Sequence, residues 1–197
     1  MTTLSNELLS QLPAGAVQQV ASQLGVDANQ AQSAIGMALP LLMGALGKNA
    51  SQPQGAEALL GALQRDHSSA GGINDLLGAV LGGGNSRQTN GAGILGHIFG
   101  GNTSQVEQGL GQATGLGGDK AGMLMKILAP IVMAWLAKRL LSGGQAGNAN
   151  ALGTALGGEA RAAQQSGIGG LLGSMLDQDG DGQLGLSDVM KVLGGKR

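Results

Sequence analysis

The sequence has no cysteine, which excludes disulfides, thiolate catalysis and Cys-ligated zinc or iron–sulfur centres. It has no tyrosine, and Trp135 and Phe99 are its only aromatic residues, so a core must be assembled from Ala, Leu, Ile, Val and Met. Charge is sparse, with a formal net charge of −1. Basic residues adjoin only at Lys138–Arg139 and Lys196–Arg197. With no dense basic surface to displace phosphate counterions, nucleic acid is not an expected partner. Long hydrophobic runs are missing as well. The two most apolar stretches, Ala34 to Gly47 and Ile127 to Ala137, are each closed by a lysine, short of the roughly 20 residues that a membrane-spanning helix requires. They read as buried core helices, and no membrane span is expected. The N-terminus lacks the basic start and apolar stretch of a secretory signal. Cytoplasmic location is the expectation, with the periplasm or envelope as the alternative.

What the sequence does hold is glycine, 39 residues of 197, far above the usual share of about 7% and without the every-third spacing of collagen. Loops and close helix contacts remain as its uses. Apolar residues recur at helical spacing in most segments, and none shows sustained alternation with β-branched or aromatic enrichment. The fold class read from this is all-α and multihelical, with glycine-rich connections. Helices are predicted at about 4–12, 15–24, 28–48, 55–65, 73–81, 92–99, 104–114, 119–141, 150–165, 168–176 and 186–193. Gly82 to Gly91 and Ser142 to Asn150 are too rich in Gly, Asn, Ser and Gln to be regular and read as hinges or exposed loops.

An internal repeat runs at an offset of 90 residues. Ala38-Leu39-Pro40-Leu41-Leu42-Met43-Gly44-Ala45-Leu46-Gly47-Lys48 matches Leu128-Ala129-Pro130-Ile131-Val132-Met133-Ala134-Trp135-Leu136-Ala137-Lys138. Upstream, Gln18, Val20, Gly25, Val26 and Ala31 face Gln108, Leu110, Gly115, Leu116 and Ala121 in the same register. Downstream the register slips, and Gly72 to Leu81 returns as Gly167 to Leu176. The chain therefore divides into a first helical half at 1–90, a second at 91–176 that repeats it, and a C-terminal piece at 177–197. Pro40 and Pro130 fall inside the most apolar helix of each half, where proline removes a backbone hydrogen bond and bends the helix.

The C-terminal piece states a chemistry. An EF-hand loop takes oxygen ligands from positions 1, 3, 5, 7, 9 and 12 of twelve residues, with glycine at position 6 for the sharp turn. Asp177, Asp179 and Asp181 occupy positions 1, 3 and 5, Gly182 the turn, Gln183 offers its carbonyl at 7, Gly185 contributes through water at 9, and Asp188 closes at 12. Four of the twelve acidic residues of the chain lie in this loop. A hard divalent cation relieves their repulsion, and calcium suits an irregular carboxylate and carbonyl shell. The alternative is a solvated acidic turn with Asp188 in the first turn of the following helix. Asp188 replaces the usual glutamate and the loop has no second copy to pair with, so affinity is expected on the order of 10⁻⁵ to 10⁻³ M.

Other candidate chemistry is thin. His97, within Leu95-Gly96-His97-Ile98-Phe99, reads as a packed histidine, because no His, Cys or carboxylate stands three or four residues from it. His67, between Asp66 and Ser68, reads as a polar loop residue. Gly44 to Asn49 and Gly115 to Lys120 lack the spacing and the preceding strand of a phosphate-binding loop.

The repeat, the segment Gly93-Ile94-Leu95-Gly96-His97-Ile98-Phe99-Gly100-Gly101 and the Leu-rich C-terminal segment running into an acidic Asp/Gly turn together resemble the YidB-like family of bacterial proteins of unknown function, most strongly from Gly91 to Leu193. The resemblance implies a bacterial origin and a helical fold and transfers no catalytic residue. The loop itself looks like an EF-hand or dockerin-type loop. The sequence thus reads as a non-enzymatic helical scaffold or interaction protein that binds calcium through Asp177, Asp179, Asp181, Gln183 and Asp188, with a second copy or another protein as partner. An envelope-associated structural protein is one alternative. A divalent-metal-dependent enzyme is another, and the loop supplies it with no nucleophile or second carboxylate cluster.

Overall fold

The computed structural model describes residues 3–13, 15–66, 73–83, 89–142, 152–154, 156–159 and 161. All the regular structure in them is helical. The helices are α1 (Leu4–Gln11), α2 (Ala16–Leu24), α3 (Ala28–Ala50), α4 (Pro53–Asp66), α5 (Ile73–Leu81), α6 (Gly91–Phe99), α7 (Thr103–Thr114) and α8 (Gly118–Ser142), with a 3₁₀ turn at Gly100–Asn102. Residues 152–154 and 156–159 are helical too. Helices predicted at 168–176 and 186–193 lie outside the described residues, as does His67.

Local chemistry explains where several of these helices begin and end. Thr3, Asp27 and Asn90 precede α1, α3 and α6, and each side-chain oxygen accepts a hydrogen bond from a backbone N–H of the first turn, which satisfies a donor the helix itself leaves open. Gly25 and Gly115 end α2 and α7 in the left-handed conformation, at φ 62° and 69°, where glycine carries no Cβ penalty.

The long helices α3 and α8 touch each other and form the spine. α1, α2 and α4 pack on α3, and α5, α6 and α7 on α8, while α7 also reaches α3 and α2 reaches α8. The spine takes this position because it is apolar nearly all round: from Leu124 to Ala137 every residue of α8 except Lys126 is buried. Pro40 and Pro130 stand inside α3 and α8. α8 is also the one helix among the described residues long and apolar enough to cross a membrane by length and composition, yet 83% of its apolar window is buried within the fold.

Polar contacts tie the two sides of the spine together. Gln30 Nε2 donates to the Gly115 carbonyl at 3.3 Å, and Lys120 Nζ donates to the Gly25 carbonyl at 3.0 Å. Residue 120 is 90 positions after residue 30, and 115 is 90 after 25, so the two bonds exchange under the offset seen in the sequence. At the other end, Asn49 Nδ2 donates to the Ile98 carbonyl at 2.9 Å, and Arg139 pairs with Glu7 at 3.0 Å.

After α8 the chain returns to α1. Leu152 and Leu156 are fully buried, and the Glu159 carboxylate, itself buried, accepts from the Leu4 backbone N–H and from Ser5 Oγ, the latter at 3.1 Å. An acid placed there answers a backbone donor that the helix N-terminus leaves open, together with a side-chain hydroxyl, at an end where negative charge is favoured.

Candidate functional site

The described residues contain a cavity of about 500 Å³ at the C-terminal end of α3, bounded by α4, α6 and one residue of α8. Leu46, Leu59, Ile94, Ile98 and Met133 supply its apolar lining, and Asn49, Arg65, Asn90 and His97 its polar groups. Its size lies within the range of small-molecule sites, and so does the pattern of few polar groups over an apolar bed.

Two glycines let the walls approach. A Cβ on Gly55 of α4 would run into the Asn49 carbonyl, and a Cβ on Gly91 of α6 into the Lys126 carbonyl of α8. Gly91 is thus the buried first residue of α6 and not part of the loop expected from Gly82 to Gly91.

Each polar group is held in a defined way. Asn49 gives its amide hydrogen to the Ile98 carbonyl, which leaves Oδ1 as acceptor. Asn90 accepts the Gly93 N–H at 2.9 Å through Oδ1, which fixes the amide and leaves Nδ2 as donor. A Cβ on Gly93 would fall 2.8 Å from that Nδ2, so glycine keeps the amide in place. Arg65 Nε donates to the Gly61 carbonyl one turn back at 3.0 Å, which lays the guanidinium along α4, and the residue forms no ion pair among the described residues. His97 is exposed at the rim. The expectation of a packed histidine is therefore corrected: α6 buries Gly91 and Leu95, and at 100° per residue position 97 turns to the flank shared with Gly93.

The five residues predicted to hold calcium, Asp177, Asp179, Asp181, Gln183 and Asp188, lie outside the described residues. Within them, no group of three or more His, Cys, Asp or Glu is placed to hold a metal ion. Sequence reasoning did not single out Arg65, Asn90 or Asn49. They come from separate helices or caps and share no spacing, and only their convergence in the fold reveals them.

The family model for "Bacterial protein of unknown function (DUF937)" matches residues 6–139, well over half of the chain. The protein belongs to this family. The DUF937 region runs from within α1 through most of α8, and takes in both sides of the spine and every described residue that lines the cavity. It reaches far upstream of Gly91, and the acidic loop lies beyond it. No curated protein and no solved structure matches the chain.

Proposed function

We propose that this DUF937 chain is a non-enzymatic helical scaffold or interaction protein of the bacterial cytoplasm, akin to the YidB-like proteins, that binds calcium through Asp177, Asp179, Asp181, Gln183 and Asp188. The observation that carries the reading is the crowding of four of the twelve acidic residues into twelve positions with EF-hand spacing, a charge density that an oxygen-preferring dication neutralises. The use of acids elsewhere supports it. Glu7 pairs with Arg139, Asp27 caps α3 and Glu159 caps α1, so these carboxylates already have structural partners. A single EF-hand half buries its apolar face better against another surface, and a second copy or a protein partner supplies one.

Calcium titration of the full chain by calorimetry tests the reading. One site on the order of 10⁻⁵ to 10⁻³ M is expected, and Asp179→Ala should abolish the heat. Unchanged heat in that variant, or none in the parent at millimolar calcium, sinks the proposal. Asp188→Glu provides a gain-of-function check. The longer side chain restores the two-oxygen contact usual at position 12, and binding should tighten about tenfold, or ~1.4 kcal/mol.

A further inference from the structure

We propose that the cavity between α3, α4 and α6 binds an aliphatic carboxylate, a medium- to long-chain fatty acid, with its head at Arg65 and its tail on the apolar bed.

The polar groups around the cavity set the sign of the charge it suits. Among the described residues that line the cavity there is no aspartate or glutamate. Arg65 spends Nε on the Gly61 carbonyl, so its two terminal amino groups remain as donors in the planar fork that suits a carboxylate. Asn90 adds Nδ2, since its oxygen is committed to the Gly93 N–H, and His97 adds a ring nitrogen at the rim. Among the described lining residues, donors thus outnumber the side-chain acceptors, which are Asn49 Oδ1 and the second ring nitrogen of a neutral His97. A neutral polar ligand would leave that imbalance unanswered, and a dication is repelled by it. Below the donors, Leu46, Leu59, Ile98 and Met133 offer only carbon and sulfur surface, which requires an apolar ligand body. Charge at one end and aliphatic surface at the other define an amphiphile, and a cavity of about 500 Å³ accommodates a small molecule, not a folded partner.

Isothermal calorimetry of the full chain with sodium decanoate below its micellar concentration tests this without calcium, so that its outcome is independent of the C-terminal loop. Saturable binding of decanoate is expected, with acetate and decanol each at least tenfold weaker, because each lacks one half of the recognised chemistry. Arg65→Met, which keeps length and removes the charge, should weaken decanoate at least tenfold. Ala58→Trp, on an exposed position of the cavity wall, should abolish binding by filling the space. Both substitutions lie on exposed sites of α4, and far-UV circular dichroism checks that the helices persist. Absence of decanoate binding overturns the proposal, as does equal binding of acetate or decanol, or parent-like affinity in the two folded variants.

Discussion

Trp135→Ala is expected to destabilise the protein by about 3–5 kcal/mol, the usual range for emptying a buried tryptophan site. Against a total stability of about 5–15 kcal/mol for a folded domain, this is a large fraction. At roughly 2–4 °C per kcal/mol for a chain of this size, the melting temperature should fall by about 6–20 °C. The side chain is 3% exposed and joins α8 to α1, with its indole N–H donating to Gln11 Oε1 at 3.1 Å. Arg139 lies 6.0 Å from the ring centroid and pairs with Glu7. Magnitudes separate the contributions. Trp135→Phe retains most of the apolar body and loses the hydrogen bond, about 1 kcal/mol. Arg139 is half exposed, and Arg139→Gln should change stability by less than about 1 kcal/mol. Urea denaturation followed by far-UV circular dichroism measures all three, since the tryptophan itself cannot serve as the probe. A loss below 1 kcal/mol for Trp135→Ala would show that burial between α1 and α8 contributes little.

The helices were legible because their determinants are local. The periodicity predicts α3 over 28–48, and the helix spans Ala28–Ala50 with Asp27 as its cap. The prediction of 119–141 for α8 compares with Gly118–Ser142. α4 begins at Pro53, ahead of the predicted 55, because proline fits the first turn, where its missing N–H goes unused. The placement of the apolar runs in a buried spine also followed from the sequence, since a helix apolar on all sides has to be covered. Glu159 is different. Its carboxylate answers Leu4 and Ser5 at the opposite end of the chain, and no local pattern announces a contact across that separation.

The cavity was illegible for the same reason. Arg65 and His97 belong to different helices, α4 and α6, with α5 between them in the chain, so nothing in their spacing marks a site. His97 reads as packed in the sequence because no His, Cys or carboxylate stands three or four residues from it, and that spacing says nothing about which face of α6 is covered. Neighbours in sequence diverge on a helix, however, and Gly93, one turn away, shares its flank. The calcium loop is the opposite case. The residues proposed to hold the ion fall within twelve consecutive positions, so the reading comes from local spacing alone.

Two glycines of α6 should respond to alanine with opposite signs, although alanine is the better helix former by about 0.8–1.0 kcal/mol in a helix interior. Gly96 is exposed, inside the helix, with no atom near the position of an added Cβ. Gly96→Ala should therefore stabilise by up to about 1 kcal/mol. Gly91 is buried at the start of the same helix, and its Cβ would collide with the backbone carbonyl of Lys126. Neither partner is a flexible side-chain end, so α6 must move away from α8, which carries the overpacking penalty of about 1–3 kcal/mol. The propensity gain is also smaller at the first helical position than in the interior. Overlap wins over propensity, and the two variants should differ by roughly 2–4 kcal/mol. Parallel urea titrations decide the matter. If Gly91→Ala is as stable as Gly96→Ala, the close approach of α6 to α8 is absent in solution, and with it the α6 wall that gives the cavity its shape.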